Sequence, residues 1–445
     1  MLYRKIQNAI EQWLASDKTK VLVIDGARQI GKSYIIRHIG QTRFKNYIEL
    51  NLLEDSQGAR QFEHVRTTED FYIQLSISFG EKMGSKRDTL VFLDEIQTYP
   101  HLLTLFKFLC QEDKFTYIAS GSLLGVTLAQ TSSIPMGSIE VKHMYPLDFE
   151  EFLMANGFGE DVFAFMRRKF ENKESLDEAT HGKLMDLFKK YLLVGGLPDA
   201  VNAYVETKNI QRVRAIQQEI YTYYGYDASK YDTENKLKIK RIYDMIPSAL
   251  ENKKKRIVVK DIEGKKGKRF NNYRDEFDYL IHAGIALEVK AVSTAVFPLV
   301  ASSGKNLLKL YLNDVGLLTN VLYRNNVRAV LTDENSVNLG SVYESVVASE
   351  LRAHGFNLYY YDNKAKGEVD YLIDDYETLS VLPIEVKSGK DYTVHSALTT
   401  FVSQPDYPVK QAYVFSNARE VKYKGVIVYL PIYYVMFLDI DRVTE

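Results

Sequence analysis

The sequence predicts an α/β protein with two separate sheets, the first parallel and helix-covered, the second beyond a helical middle region. Three observations lead there. Four runs at 21–24, 47–50, 90–93 and 115–119 are apolar on both faces and are separated by helical or irregular stretches, the pattern of buried parallel strands. Segments 149–158, 162–170 and 184–193 carry helical periodicity and end at the turn Gly195-Gly196-Leu197-Pro198. From about residue 307 the alternation returns, with strands expected at 307–312, 359–361, 369–373, 382–386 and 412–415 around a helix at 342–354.

Taken in order, an amphipathic stretch with Ile6, Ile10, Trp13 and Leu14 at helical spacing forms a packing helix ahead of the first strand. The first sheet occupies residues 1–148, and helices at 149–225 form a lid. A basic, helical, winged-helix-like region is expected over 226–304, with a short strand at 285–290. The second α/β domain then fills 305–445.

Composition narrows the function classes. The chain has 445 residues, 46% hydrophobic and 26% charged, enough for several buried cores. Its first 20 residues interrupt their apolar positions with Lys5, Glu11 and Asp17, unlike a signal peptide, and no run has the length of a membrane span. Cys110 is the only cysteine, which excludes an internal disulfide and a cysteine-rich zinc site and points to a cytoplasmic setting. The net charge is −1, but residues 236–274 hold 14 Lys and Arg against 4 Asp and Glu. That run, from Lys236 to Arg274, is a candidate nucleic-acid contact, although charge runs also serve as solvated faces.

The octapeptide Gly26-Ala27-Arg28-Gln29-Ile30-Gly31-Lys32-Ser33 directly follows the first strand and opens a helix. Glycines at its ends let backbone N–H groups converge on phosphate, Lys32 reaches the β- and γ-phosphates, and the Ser33 hydroxyl is a Mg²⁺ ligand. ATP with Mg²⁺ is the expected ligand pair. The buried run 89–93 ends in Asp94 and Glu95, whose side chains diverge at a strand end. Asp94 is assigned to the metal and Glu95 to polarising the attacking water. The next strand end carries Ser120-Gly121-Ser122, where the Ser120 hydroxyl could sense the γ-phosphate or serve only a turn.

These motifs carry a resemblance. Residues 1 to about 225 resemble AAA+ ATPases of bacteria and archaea, in the Gly-Ala-Arg-Gln-x-Gly-Lys-Ser loop, Leu-Asp-Glu-Ile-Gln at 93–97, Gly-Ser-Leu-Leu at 121–124, Tyr-Pro-Leu-x-Phe-x-Glu-Phe-Leu at 145–153, and Gly-Gly-Leu-Pro at 195–198. The resemblance implies a P-loop ATPase core, association into homo-oligomers, and a C-terminal domain similar to PD-(D/E)XK nucleases, that is, restriction-endonuclease-like. Many relatives have Gly-Arg where this chain has Gly137-Ser138, so no arginine is offered from that position.

The nuclease-like pattern is found at Asp370 and at Glu385-Val386-Lys387. Glu385 and Lys387 share a strand face, a hairpin brings Asp370 alongside, and Asp370 with Glu385 would hold Mg²⁺ while Lys387 orients water. Glu-Val-Lys recurs at 140–142, 288–290 and 420–422, so only context singles this copy out. Part of that context is Glu344, a carboxylate on the apolar stripe of Val347, Ala348 and Leu351, costly unless paired or metal-bound. A buried Glu344–Lys387 pair is the structural alternative. The expected function is an ATP-hydrolysing protein coupled to a nuclease-like domain that acts on nucleic acid. Its rivals are a nucleotide-controlled switch that binds DNA or protein without cutting, and a small-molecule kinase.

Overall fold

The computed structural model describes residues 2–16, 19–122, 137–230, 236–264, 269–303, 307–332, 339–363, 365–389 and 393–440. Two compact units divide at Tyr145 and Pro146, with the turn His282–Gly284 joining the first.

In the first unit, β1 (Val21–Asp25), β2 (Asn46–Asn51), β3 (Thr89–Asp94), β4 (Thr116–Gly121) and β5 (Ile139–His143) form a sheet of order β2-β3-β4-β1-β5. Every pairing is parallel. The strands β1, β3 and β4 are buried along their whole length, which is why their sequences are apolar without alternation. Val21, Val23, Val91, Leu93 and Ala119 contribute to one core with Phe71, Leu75 and Phe106. The opening helix Lys5–Ala15 buries Ile10 and Trp13. Parallel connectivity brings the ends of β1, β3 and β4 to one edge, where open α/β sheets bind ligands.

The second unit holds an eight-stranded mixed sheet of order β12-β13-β11-β10-β9-β8-β6-β7. Its strands are β6 (Ala286–Val292), β7 (Leu308–Leu312), β8 (Tyr359–Asn363), β9 (Gly367–Asp375), β10 (Ser380–Lys387), β11 (Ala412–Ser416), β12 (Lys422–Lys424) and β13 (Ile427–Pro431). One expectation is corrected here. The strand at 285–290 forms, but β6 pairs antiparallel with β7 and parallel with β8, so it belongs to the large sheet and is no wing of a middle module. The preceding segment is helical, with helices Lys236–Glu251, Val259–Glu263 and Arg274–His282. The helices expected as a lid, Phe149–Ala155, Glu160–Glu171 and Glu178–Val194, lie in the same compact unit as this sheet. The helix Phe149–Ala155 starts on a capping box between Asp148 and Glu151, and Glu350 accepts the Phe149 N–H at 2.7 Å. No helix among the described residues is long and apolar enough to cross a membrane.

Candidate functional sites

The loop after β1 has the backbone that its glycines allow. Gly26 has φ 144°, and a Cβ there would lie 2.3 Å from the Met144 carbonyl oxygen. Gly31, at φ 94°, precedes the twelve-residue helix Lys32–Arg43 in the left-handed region, with Gln29 also at positive φ. Lys32 is the first helical residue. Its ammonium folds back over the loop and donates to the carbonyls of Gly26 at 2.9 Å and Ala27 at 2.6 Å. Burial pushes Lys32 down to about 8, against the attraction of Glu95, Asp25 and Asp94. The loop is also braced by buried Arg4, which donates to the Ile30 carbonyl at 2.8 Å and the Tyr145 carbonyl at 2.5 Å. Arg4 carries no motif, and nothing in its sequence context singled it out.

Asp94 is buried at the end of β3, and one of its oxygens gathers three donors. Ser33 Oγ donates to Oδ1 at 3.0 Å, the Glu95 N–H at 3.1 Å, and Ser120 Oγ also donates to it. Ser33 and Asp94 therefore meet as a Mg²⁺ site requires. Ser120, offered by the sequence as a γ-phosphate sensor or a turn residue, is fully buried with its hydroxyl on Asp94. Burial raises the Asp94 carboxyl above its ordinary range, opposed by the Ser120 and Ser33 hydroxyls. Glu95 takes left-handed backbone at φ 57° and ψ 49°, a conformation costing a non-glycine residue roughly 1–2 kcal/mol.

A polar chain leads away from Glu95. Gln97 Nε2 donates to Glu95 Oε2 and, at 3.3 Å, to Ser122 Oγ, which also accepts from Arg28 Nε at 3.3 Å. Arg28 of the loop is thus tied to the acid assigned to water. Gln97 lies inside the motif read from the sequence but received no role there. Leu123 and Leu124 of that reading lie outside the described residues.

At the second site the structure brings together the four residues named from the sequence. β9 and β10 form an antiparallel hairpin. Asp370 Oδ2 accepts the Val386 N–H at 2.9 Å, and Lys387 donates to Glu385 Oε1 at 2.7 Å, so Glu385 and Lys387 do share a face. Glu344, on the helix Gly340–Ala353, is buried and accepts from Tyr311 Oη at 3.2 Å. The expected alternative of a Glu344–Lys387 pair is corrected. The cation on Glu344 is Lys255, whose ammonium donates to Glu344 Oε1. Glu344, Asp370, Lys387 and Lys255 line a cavity of about 370 Å³.

Burial, reinforced by Glu385 and then Glu344, holds Asp370 well above the usual carboxylate range. Burial also raises Glu385, against the attraction of Lys387. Glu385 Oε2 is buried with no hydrogen-bond partner among the described residues. An all-oxygen donor set with one unsatisfied carboxylate oxygen fits a hard divalent cation such as Mg²⁺ or Mn²⁺.

Among the described residues, a group of three whose ligand atoms lie within 4.8 Å of one another is a different one, Asp148, Glu350 and His354. Its bonds are those of a helix junction. Asp148 accepts from Glu151 N at 2.8 Å and sits 3.2 Å from His354 Nε2.

The basic run is partly spent inside the protein. Lys238 lies 3.8 Å from both Glu263 and Glu276, and Arg256 pairs with Asp362, while Lys240 bonds Asp244 at 2.5 Å on the surface. Residues 265–268 of the run lie outside the described residues.

Comparison with known proteins adds three family matches. Residues 18–153 match an AAA domain, residues 185–328 a domain of unknown function (DUF8612), and residues 339–435 another (DUF4143). Comparison with curated proteins gives no match. Among solved structures, the chain is similar to the S. cerevisiae Hsp104-ADP complex at 13% identity and TM-score 0.31, over 79% of this chain and 56% of that one. Cdc6p from Pyrobaculum aerophilum is similar at 12% identity and TM-score 0.25, over 74% and 93%. The RuvB Holliday junction branch migration motor of Thermotoga maritima is similar at 12% identity and TM-score 0.28, over 64% and 89%. The chain spans about half the length of the Hsp104 chains it matches, 48% of one and 56% of the other. The stretch 18–153, which matches the AAA domain model, contains the Gly26–Ser33 loop, Asp94, Glu95 and Ser120.

Proposed function

We propose that the chain binds and hydrolyses ATP at the Gly26–Ser33 loop and that its second unit is a nuclease-like domain acting on nucleic acid. The observation that carries the first part is the meeting of Ser33 and Asp94 at 3.0 Å beside buried Lys32. Mg²⁺ at this site would supply charge neutralisation to the phosphates. Ser33 and Asp94 are the residues to hold it. The loop amides and Lys32 bind and orient the phosphates, and Glu95 holds and polarises the attacking water.

What supports the second part is the convergence of Glu344, Asp370 and Lys387 on one cavity, with buried Glu385 bonded to Lys387 and one of its oxygens unsatisfied. Asp370 and Glu385 would hold a divalent cation, which supplies Lewis-acid polarisation of a phosphodiester. Lys387 orients the attacking water and neutralises charge that develops on phosphate. The basic run Lys236–Arg274 is the proposed nucleic-acid contact.

The test is incubation of the full chain with single- and double-stranded DNA and RNA, plus Mg²⁺ or Mn²⁺, with and without ATP. Wild type should cleave at least one substrate, while Asp370→Ala and Lys387→Ala should lose cleavage by at least about a hundredfold. Cleavage that survives both substitutions overturns the assigned site. Nucleic-acid binding without cleavage by any form favours the nucleotide-controlled switch.

A further inference from the structure

The second site contains a cation of its own. Lys255 belongs to the segment between the helices Lys236–Glu251 and Val259–Glu263, outside the hairpin that carries Asp370 and Glu385. Its side chain is 18% exposed and ends on Glu344, which is 4% exposed. Its backbone is in the left-handed region at φ 48°, where a glycine or asparagine is the usual occupant. The turn is closed by the Lys255 N–H on the Asn252 carbonyl at 3.0 Å. A strained lysine with a buried ammonium persists only where its surroundings over-determine it. Here the surroundings are carboxylates: burial opposes the charge of Lys255, but Glu344 and Asp370 outweigh burial and keep its ammonium above the ordinary range.

Charge bookkeeping gives this contact a consequence. Glu344, Asp370 and Glu385 carry three negative charges when ionised, and Lys387 returns one. The remainder matches a divalent cation, but with Lys255 in the site a single negative charge is left. Glu344, Asp370 and Glu385 are also not among the groups whose ligand atoms close to within 4.8 Å, while Lys255 holds Glu344 Oε1.

We propose that Lys255 is an internal counter-ion of the second site that competes with the divalent cation and sets its affinity. Withdrawal of the 252–256 segment releases Glu344 to join Asp370 and Glu385 as a third carboxylate. The same segment carries exposed Lys253 and Lys254, so a polyanion that engages this run is the class of partner able to draw Lys255 out. The inference rests on the metal-binding reading of Asp370 and Glu385.

The experiment measures Mn²⁺ binding to the nucleotide-free full chain, by the electron paramagnetic resonance signal of free Mn²⁺. The proteins are wild type, Lys255→Met, Lys255→Gly, and each of these with Asp370→Asn. Methionine keeps the buried stem, and glycine suits the left-handed backbone, so the pair separates charge from folding. Both single variants should bind one Mn²⁺ at least about tenfold more tightly than wild type, as removal of a buried like charge implies. The gain should vanish when Asp370→Asn is added. Unchanged or weaker Mn²⁺ binding in both Lys255 variants, beside Asp370-dependent binding by wild type, overturns the role of Lys255 alone. Absence of any Asp370-dependent binding in all forms overturns it together with the metal-site reading.

Discussion

Lys32 shows how a single residue ties burial to ligand. Enclosed by the loop and resting on two carbonyls, its ammonium sits at about 8 in the nucleotide-free protein. Triphosphate beside it favours the charged form, so above that pH binding must take up a proton. The dissociation constant of a non-hydrolysable ATP analogue should be flat between pH 6.5 and 7.5 and then rise toward about tenfold per pH unit above 8. Fluorescence titration across pH 6.5 to 9.5 measures it, and a flat profile to pH 9.5 contradicts the placement of Lys32 on the phosphates. The residues legible beforehand were those whose chemistry demands a fixed local spacing. Lys32 and Ser33 follow Gly31 directly, and Asp94 ends a strand that is apolar throughout. Arg4 and Lys255 were not legible, because their partners lie 26 and 89 positions away, in a pattern that only folding creates.

Among elements, the helix Val315–Tyr323 is set by its N-cap. Asp314 accepts from the Leu317 N–H at 3.0 Å and from the Gly196 N–H at 2.6 Å while almost wholly buried. Burial raises its carboxyl from 3.8 to about 6 despite those bonds. A carboxyl raised on folding contributes stability that is complete below about pH 4 and is lost as pH rises through about 6. At most about 3 kcal/mol is involved. Thermal unfolding between pH 4 and 7 should show wild type losing stability through this window relative to Asp314→Asn, which keeps a capping oxygen but no charge. Parallel slopes for the two proteins contradict the linkage. Strand positions were legible from apolar runs, and β9 and β10 formed the expected hairpin. The membership of β6 was not, because its pairing with β8 joins residues about 70 positions apart and leaves no local trace.

For the whole molecule, the nucleotide loop and the Asp370–Glu385 cluster lie in separate compact units. The first unit is a wholly parallel sheet with its loop and two acids at one edge, and residues 18–153 match an AAA domain. The second combines the helices after Pro146 with a mixed eight-stranded sheet whose central hairpin presents Asp370, Glu385 and Lys387. The basic run read from the sequence as a solvated or nucleic-acid-binding face proves to be divided, with Lys255 and Arg256 turned onto internal acids.

Steady-state ATP turnover by the full chain and by Glu95→Gln, at saturating ATP and Mg²⁺ with analogue affinity measured alongside, tests the hydrolytic site most directly. Turnover by the variant should fall by at least about a hundredfold while analogue affinity stays within about threefold of wild type. Equal turnover by the two proteins contradicts the role of Glu95, and absence of turnover by the wild type contradicts the hydrolytic reading of the site.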